Sequence, residues 1–460
     1  MARTLATLPE GSRITDYVSL GVIAKTFPPE RVRAVLAATG KASQRERDLP
    51  AQVVVYYAIA LALYMQSSYR EVLRCLLEGL QWLVDPRLTL RVAGHSGISQ
   101  ARTRLGWEPL RQLHDEVVKP IAVAATRGAW YGRWRLVSLD GSTMDVADEQ
   151  ANDEAFGRPG ASRGSSAYPQ FRFVSLVESG THVLFGTRMA PYATSENSLA
   201  KDVLGALDSD MLCLADRGFF GYEMWRQARA TKAQLLWRIK RNAVLPCARR
   251  LADGSYLSRI YPSEKDKRQQ TNAIAVRVIE YRLEGVADAE PIYRLATTVL
   301  APQQAPAQEM AALYHERWEI ETALDELKTH LRGARIILRS KTPDLVRQEF
   351  YGLLLAHFAV RALMHEAALT ANVDPDRLSF IHAVRVVRRK LPPSTLFPPM
   401  QRKAFHKQVL EEILQERVAC RRGRRNPRGV KRKMSNWPLR RRHASPQQPV
   451  IISQAIRIIK

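Results

Sequence analysis

The feature that most constrains this chain is the segment from Tyr314 to Lys328, which has the periodicity of one amphipathic helix. Wound at about 100° per residue, this helix presents four chemically active side chains within an arc of roughly 60°: Tyr314, Arg317, Glu321 and Lys328. An apolar arc beside it predicts the packed face, which consists of Leu313, Ile320, Leu324, Leu327 and Leu331. Carboxylates bind hard divalent cations, and arginine and lysine bind phosphates. A rigid face that presents both groups suits phosphodiester chemistry.

The charge of the chain indicates a polyanionic partner. The 460 residues include 70 lysines and arginines against 45 acidic residues, a net charge of +25. Twelve of the basic residues lie between Arg417 and Arg442, so the rest of the chain still carries about +13. The longest apolar run, Val53 to Met65, is too short to cross a bilayer, and the four cysteines lack metal-ligand spacing. We therefore expect a cytoplasmic, nucleoid-associated protein that binds nucleic acid and has no membrane partner.

Changes in periodicity divide the chain into five predicted regions. Residues 1–128 have helical patterns and are predicted to form an all-helical N-terminal domain. Residues 129–240 alternate strands with helices, and residues 306–395 are helical, which together indicate an α/β core in two parts. Residues 241–305 are predicted to be a β-rich insertion between those parts. Residues 396–460 form a basic C-terminal region whose tail is predicted to be disordered without a partner.

Particular elements within these regions are also predicted. Two apolar runs on either side of Glu178-Ser-Gly180 predict a β-hairpin, and Ile274 to Leu283 predicts a long strand. The residues from Asp344 to Ala371 predict a long helix. These elements set expectations for how the core is built.

Three carboxylates from distant segments are candidate metal ligands. One predicted strand ends at Asp140 and another, Met211 to Ala215, ends at Asp216, where ligands gather in an open α/β sheet. With Glu321 they would repel one another unless divalent cations neutralised them. Two metal ions roughly 4 Å apart can activate a water or a 3′-hydroxyl on one side of a phosphorus and stabilise the leaving oxygen on the other. Taken singly, each aspartate is more often a turn former. Glu321 alone is more often a solvated residue on a helix face or an ion-pair partner of Arg317. The combination favours an Asp-Asp-Glu site.

A short helix is a candidate DNA reader. It is predicted from Gln100 to Leu105, after a turn at Gly94 to Gly97 and with Ser99 as its cap. It carries Arg102 and Arg104, as a helix-turn-helix recognition helix would. An ordinary surface helix fits the same pattern.

These residues together resemble a known family. The spacing Tyr-x2-Arg-x3-Glu-x6-Lys is similar to the YREK signature of the insertion-sequence-four family of bacterial DDE transposases. Two segments resemble those that carry the family's first and second catalytic aspartates: Leu139-Asp140-Gly141-Ser142 and Ala215-Asp216-Arg217-Gly218-Phe219. Two others resemble the N-terminal domain of many members: Leu8-Pro9-Glu10-Gly11 and Tyr69-Arg-Glu-Val72. The resemblance runs from about residue 8 to residue 443.

The resemblance implies a fold, a reaction and partners. It implies a ribonuclease-H-like catalytic core with a β insertion before the glutamate helix, and cut-and-paste movement of an insertion sequence. It implies that Asp140, Asp216 and Glu321 are catalytic and hold two Mg²⁺ ions, for which Mn²⁺ would substitute. It implies double-stranded DNA as partner, both as terminal inverted repeats and as target, and a homodimer assembled on that DNA. The N-terminal domain would bind the DNA ends.

Further DNA contacts follow from the same resemblance and from the charge. The resemblance implies that Tyr314, Arg317 and Lys328 contact phosphates at the DNA end. Family members place a tryptophan in a late strand of the insertion, where it stabilises a flipped base; this chain has Tyr293 there, which could supply the stacking surface. Four arginines of the basic tail are further candidates: Arg421, Arg422, Arg424 and Arg425.

Three other functions remain open on sequence grounds. An inactive DNA-binding protein of transposon origin would keep the fold without cleaving, and metal-dependent cleavage separates it from an enzyme. A related nuclease would cut without joining strands, which a strand-transfer assay would reveal. A basic RNA-binding protein would need no carboxylate triad, and the chain has no aromatic RNA-binding signature.

Overall fold

The computed structural model describes ten stretches of the chain. They are residues 25–44, 49–84, 93–161, 164–165, 168–286, 289–333, 336–390, 399–420, 424–425 and 450–459. The first resembling segment, Leu8 to Gly11, lies outside the described residues, as do Arg421 and Arg422.

Helices account for much of the described chain. In chain order they are α1 (Pro29–Ala38), α2 (Ala51–Leu63), α3 (Tyr69–Val84), α4 (His95–Leu105), α5 (Glu108–Val117), α6 (Gln150–Phe156), α7 (Glu196–Leu204), α8 (Tyr222–Ala230), α9 (Glu264–Gln269), α10 (Ala307–Tyr314), α11 (Trp318–Asp325), α12 (Pro343–Thr370), α13 (Phe380–Lys390), α14 (Pro399–Ile413) and α15 (Ile452–Ala455). Two 3₁₀ turns cover His315–Arg317 and Pro375–Arg377, and a π-helical turn covers Glu326–Leu331.

The strands of five or more residues lie between Trp134 and Thr297. In chain order they are β1 (Trp130–Tyr131), β2 (Trp134–Asp145), β3 (Gly160–Ala161), β4 (Gly164–Ser165), β5 (Gln170–Glu178), β6 (Leu184–Pro191), β7 (Met211–Ala215), β8 (Gln234–Arg238), β9 (Arg249–Arg250), β10 (Tyr256–Ile260), β11 (Ile274–Leu283), β12 (Tyr293–Thr297), β13 (Arg424–Arg425), β14 (Val450–Ile451) and β15 (Ile456–Ile458). The protein is therefore of mixed α/β class, as predicted.

The chain divides into two compact units. Unit 1 comprises Met1–Trp130, Leu139–Ala206 and Glu319–Val418, and unit 2 comprises Tyr131–Ser138, Leu207–Trp318 and Ala419–Lys460. The N-terminal helices belong to the same unit as α12, and the predicted domain boundaries stay a prediction. Strand β2 and the signature segment each pass from one unit into the other.

Unit 1 is built around helix α12. Helix α2 packs along it, and every residue of α2 after Ala51 is buried because that helix is apolar on all sides. The two backbones approach closely, since a Cβ on Gly352 of α12 would lie 2.6 Å from the carbonyl oxygen of Ala58. Helices α5, α13 and α14 also pack on α12.

The apolar character of α12 was not predicted. By length and composition, α12 alone among the described helices is apolar enough to cross a membrane. Most of its apolar stretch is buried inside the protein, as in the core helix of a soluble protein.

The predicted hairpin is confirmed in unit 1. Strands β5 and β6 pair antiparallel from Phe171↔Pro191 to Val177↔Leu184, with an irregularity between Val174 and Leu176. Helix α7 packs on both strands, and the part of β2 that begins at Leu139 also belongs to this unit.

Unit 2 contains a sheet that spans the predicted core and the predicted insertion. The strand order is the first part of β2, then β7, β8, β12, β11, β10 and β9. Strands β7 and β8 are parallel, from Leu212↔Gln234 to Ala215↔Trp237, and the pairs from β8 to β9 are antiparallel. The strands of residues 249–297 thus extend the sheet of β7 and β8.

In the tail that was predicted to be disordered from Arg417, residues 450–459 are instead ordered, whereas residues 426–449 lie outside the described residues. Strand β15 pairs antiparallel with β11, from Tyr281↔Ile458 to Leu283↔Ile456. Ile452 and Ile456 are buried in the same apolar cluster as residues of β7, β8 and α10. The apolar side chains of this segment complete the core of unit 2, which outweighs the basic composition that precedes it.

Helix α4 is longer than predicted. It begins at His95 with Gly94 as N-cap, so the predicted turn and the Ser99 cap are wrong. Gly97 lies inside the helix with ordinary contacts, so local glycine propensity did not end it.

Candidate active site

Asp140 lies in the middle of β2, not at a strand end as predicted. Its Oδ1 accepts a hydrogen bond from the Gly141 amide at 2.8 Å. Because side chains alternate along a strand, Asp140 and Ser142 point to one face of β2 and Gly141 to the other. A Cβ on Gly141 would clash with Glu196 Oε1 and would lie 3.0 Å from the Phe173 carbonyl oxygen, so that opposite face has no room for a side chain.

Lys328 lies on the same face of β2 as Asp140. Its Nζ donates a hydrogen bond to Ser142 Oγ at 2.7 Å. Burial lowers the pKa of Lys328, Arg332 lowers it further, and Asp145 and Asp325 act in the opposite direction. The contact brings one of the four signature residues to the strand that carries the first aspartate.

The signature segment is not one uniform α-helix. It changes from α10 to a 3₁₀ turn that contains Arg317, then to α11, and then to the π-helical turn that contains Lys328. The constant rotation assumed for the helix therefore fails at both ends. Of the predicted packed arc, Leu313 is only half-buried, whereas four residues are buried: Ile320, Leu324, Leu327 and Leu331. Glu321 is exposed.

Two other glutamates of this segment are buried, which the sequence analysis did not foresee. Glu326 Oε2 lies 3.1 Å from Arg361 Nε and 3.3 Å from His357 Nε2, and Glu326 Oε1 lies 3.2 Å from His182 Nδ1. Burial raises the pKa of Glu326, but Arg361 and His182 outweigh it and hold that pKa well below its usual range. Glu319 accepts a hydrogen bond from the Gly180 amide. Both glutamates thus fix the segment to the rest of unit 1.

Asp216 lies directly after β7 in unit 2, as predicted. Its Oδ1 accepts a hydrogen bond from the Arg217 amide at 2.7 Å. The hydroxyl of Tyr314 donates to the carbonyl oxygen of Ala215, the residue before Asp216, at 3.4 Å. Burial raises the pKa of Tyr314 well above its usual value, while Arg317 lowers it and Asp216 raises it. A second signature residue thus lies at the end of the strand that precedes the second aspartate.

Cationic side chains that were not predicted lie near the end of the strand that precedes Asp216. Arg238, at the end of β8, forms an ion pair with Glu290. Four residues line an open cavity of about 550 Å³: Arg217, Lys240, Arg241 and Asn242. The signal was present in the sequence, because parallel neighbours β7 and β8 end at the same edge of a sheet, so Lys240 and Arg241 follow on the same side as Asp216.

Two predicted DNA contacts are corrected by burial. The Arg102 side chain is buried and donates to Gln348 Oε1 at 2.8 Å and to Ser340 Oγ at 3.0 Å, so it is a core residue. Tyr293 is buried, stacks on Tyr281 with ring centroids 5.2 Å apart, and lies under the Arg238 guanidinium. Neither side chain is accessible to DNA in this structure.

The remaining candidates have varied environments. Arg104 is exposed on α4 and stays a prediction. Arg424 and Arg425 form β13, whose backbone pairs with β14. Trp237 is buried in the core, whereas Trp318, within the signature segment, is 47% exposed.

The structure brings the predicted residues together in two sets. Asp140 shares unit 1 with Glu321 and Lys328, and Asp216 shares unit 2 with Tyr314 and Arg317. Among the described residues, the group of three His, Cys, Asp or Glu side chains whose ligand atoms lie within 4.8 Å of one another is a different one, His182, Glu319 and Asp376.

The N-terminal region and the central region of the chain each match a known protein family. Residues 17–115 match the family described as insertion element 4 transposase N-terminal, and residues 133–359 match the transposase DDE domain. The chain is 28% identical over 372 residues to the transposase InsG for insertion sequence element IS4 of Escherichia coli, covering 79% of this chain and 81% of that protein. It is 26% identical over 214 residues to the putative transposase InsZ of Escherichia coli, covering 45% of this chain and 66% of that protein.

A solved structure is also similar over most of the chain. It is the piggyBac transposase synaptic complex with hairpin DNA, with a TM-score of 0.42 and 10% identity, covering 86% of this chain and 84% of that one. The matches to both family models, in the order N-terminal region and then DDE domain, agree with the YREK spacing and the two aspartate segments. The chain belongs to the insertion element 4 family of DDE transposases and is a DNA transposase.

Proposed function

We propose that this transposase moves an insertion sequence by cut and paste. In this proposal a phosphodiester at each element end is hydrolysed, and the freed 3′-hydroxyl attacks either the opposite strand or, later, target DNA. Asp140, Asp216 and Glu321 are the catalytic carboxylates, and they hold two Mg²⁺ ions, for which Mn²⁺ substitutes. When bound, such ions activate the attacking oxygen and stabilise the leaving one.

The observation that carries the proposal is the pair of contacts made by the signature segment. Lys328 reaches Ser142, two residues after Asp140 on the same face of β2. Tyr314 reaches Ala215, immediately before Asp216. A segment that contacts the neighbours of both aspartates, and carries Glu321 between those contacts, supports a common role for the three carboxylates.

The donor chemistry fits a hard divalent cation. A DDE domain implies the use of a divalent metal. Three carboxylates with no thiol or imidazole among them are the oxygen ligands that Mg²⁺ and Mn²⁺ favour. This composition supports Mg²⁺ as the physiological ion.

The chain's own cations serve the phosphate. Lys328 and Arg317 bind the attacked strand and orient it, which removes negative charge from the phosphorus. Tyr314 is buried and hydrogen-bonds to Ala215. We therefore give Tyr314 a role in holding the strand end of Asp216, beside any contact with the DNA end.

The wider assembly follows from charge and family. We propose a ribonuclease-H-like catalytic core, a homodimer on DNA, and binding of terminal inverted repeats that involves the exposed Arg104. The basic residues from Arg417 to Arg442 contribute affinity for any DNA, with a steep salt dependence. A cytoplasmic, nucleoid-associated location is part of the same proposal.

The test is cleavage of a labelled duplex that carries the element's own terminal repeat. We expect Mg²⁺ to support release of a 3′-hydroxyl end, Ca²⁺ to support binding without cleavage, and Asp216→Asn to abolish the reaction. Tight binding without cleavage in Mg²⁺ and in Mn²⁺ would instead identify an inactive DNA-binding protein.

Joining needs its own assay. The cleaved end is incubated with a supercoiled target, and we expect covalent joining of its 3′-hydroxyl to that target. Cleavage without any joined product would identify a nuclease and would refute the transfer step.

A further inference from the structure

A buried group of ligand-type side chains lies in unit 1 beside the signature segment. His182 follows the turn between β5 and β6, Glu319 lies near the start of α11, and Asp376 lies in the 3₁₀ turn Pro375–Arg377. The three come from distant parts of the chain, yet their ligand atoms all lie within 4.8 Å of one another. The side chains are 4%, 9% and 13% exposed, respectively.

The imidazole of His182 is oriented from one side and unsatisfied on the other. Its Nδ1 lies 3.2 Å from Glu326 Oε1 and is hydrogen-bonded to it. Its Nε2 lies 3.0 Å from Asp376 Oδ1 and 3.9 Å from Glu319 Oε2, but this buried nitrogen has no hydrogen-bond partner. A histidine that binds a metal through one nitrogen characteristically donates the other N–H to a carboxylate. His182 has that arrangement, with Nε2 directed at two carboxylates.

The charges of the group favour a doubly charged occupant. Three carboxylates lie in contact around His182, those of Glu319, Glu326 and Asp376, and Arg361 contacts Glu326. Carboxylates clustered around a buried imidazole attract positive charge. A divalent cation bound by His182, Glu319 and Asp376 would supply more of it than a proton on His182 would.

We propose that His182, Glu319 and Asp376 bind one divalent transition-metal ion of the zinc type. One imidazole nitrogen with two carboxylate oxygens is a ligand set that Zn²⁺ accepts, at about 2.0–2.2 Å from each donor. Donors at that distance around a tetrahedral ion lie about 3.4 Å apart, and the observed separations of 3.0 and 3.9 Å lie on either side of this value. A softer ion than Mg²⁺ is favoured because of the nitrogen ligand.

Such an ion would add a direct link among three segments that are distant in sequence, beside the Gly180–Glu319 and His182–Glu326 contacts. It would tie the β5–β6 turn and the turn at Asp376 to α11, two residues before Glu321. The ion would therefore act as a positioning element for the segment that carries Glu321 and would take no part in the reaction itself.

The test is metal binding by the full-length protein carrying Asp216→Asn, in which the proposed catalytic carboxylates are incomplete. The protein is stripped with a chelator and titrated with Zn²⁺, while zinc content after desalting and the melting temperature are measured. We expect about one equivalent of zinc per chain and a rise in Tm of roughly 3–4 °C at a hundredfold excess over Kd. Glu319→Gln and Asp376→Asn should each abolish the retained zinc and the rise in Tm.

A matched control and a second measurement keep the outcome decisive. His382→Asn alters another buried histidine of unit 1, which pairs with Glu416, and should leave zinc binding unchanged. X-ray absorption at the zinc edge, which needs no variant, should show nitrogen and oxygen neighbours at about 2.0–2.2 Å and no sulfur. No retained zinc and no shift in Tm, a sulfur neighbour, or zinc that survives Asp376→Asn would each overturn the proposal in favour of a buried ion pair of His182. Cleavage activity is not used as a readout, so failure here leaves the proposed transposition reaction untouched.

Discussion

The surroundings of the two aspartates differ in kind. Asp140 lies inside a paired strand, with Gly141 beside it enclosed by Glu196 and the Phe173 carbonyl. Asp216 lies after a strand end, where a Cβ on Gly218 would meet nothing within 4 Å, and arginines and a lysine line the nearby cavity. One aspartate is held by packing, and the other lies in an open, positively charged setting. In the proposed function, unit 1 holds the Asp140 carboxylate in position, and the cationic side chains of unit 2 attract the phosphate backbone of DNA.

We expect the largest effect on DNA cleavage when either aspartate is replaced, and an equal loss of rate for both. Asp140→Asn and Asp216→Asn should each lower the rate of DNA-end cleavage by at least about 10³-fold, because each removes a metal-ligand charge. The rate is measured with saturating DNA in Mg²⁺. Asp202→Asn, an exposed carboxylate on α7, should cleave normally. If either catalytic variant cleaves at the normal rate, that aspartate does not belong to the site.

The next largest effect is expected for Lys328, the signature lysine in unit 1. Lys328→Met should lower the single-turnover cleavage rate by about 10²-fold, because a positioned charge near the attacked phosphate is lost. DNA affinity should change much less. Lys201→Met removes an exposed lysine of the same unit and serves as control. A uniform loss of affinity with an unchanged rate would make Lys328 a general DNA contact only.

A pair of alanine substitutions tests the packing directly. Gly141→Ala should destabilise the protein by about 1–3 kcal/mol, because Glu196 can rotate away but the Phe173 carbonyl belongs to the neighbouring strand. Gly218→Ala, beside the other aspartate, should change the free energy of unfolding by less than about 0.5 kcal/mol. Urea denaturation of both variants measures the difference. Equal stability would mean that the enclosure around Asp140 is as adaptable as the opening around Asp216.

The smallest effect is expected at the open cavity of unit 2, which Lys240 and Arg241 line. Replacing Lys240 and Arg241 by alanine together should weaken DNA binding to a similar extent for all sequences. The slope of log K against log salt concentration should fall by about 1.8, which corresponds to two phosphate contacts. Lys265 and Arg268, exposed on α9 of the same unit, provide the control pair. An unchanged slope would show that the cavity does not bind phosphate.

The sequence predicted elements well where the local pattern and the tertiary structure agree. The run Met211 to Ala215 is apolar throughout and is followed by Asp-Arg-Gly, so β7 and the place of Asp216 were both predictable. The same reasoning failed at Asp140, because Asp-Gly-Ser has turn propensity but pairing within the sheet continues the strand to Asp145. Tertiary context decided between the two.

Burial of polar residues was the part that the sequence could not supply. Arg102 resembles a surface arginine until Gln348 and Ser340, more than 200 residues away, supply its acceptors. Glu326 likewise depends on His182 and Arg361. Spacing along one helix predicts which residues share a face, but it does not reveal the partners that distant segments bring to that face.

Strand β15 also has a consequence for how the protein is made. Strand β10 covers β11 from Ile274 to Val278, and β15 covers the same edge from Tyr281 to Leu283. Residue Ile456 emerges from the ribosome more than 170 residues after Leu283, which at typical synthesis speeds takes roughly 10–35 s. During that interval the far end of β11 presents unpaired backbone groups that another nascent chain can pair with. Neighbouring ribosomes on one messenger would therefore be the place where this protein is most prone to aggregate.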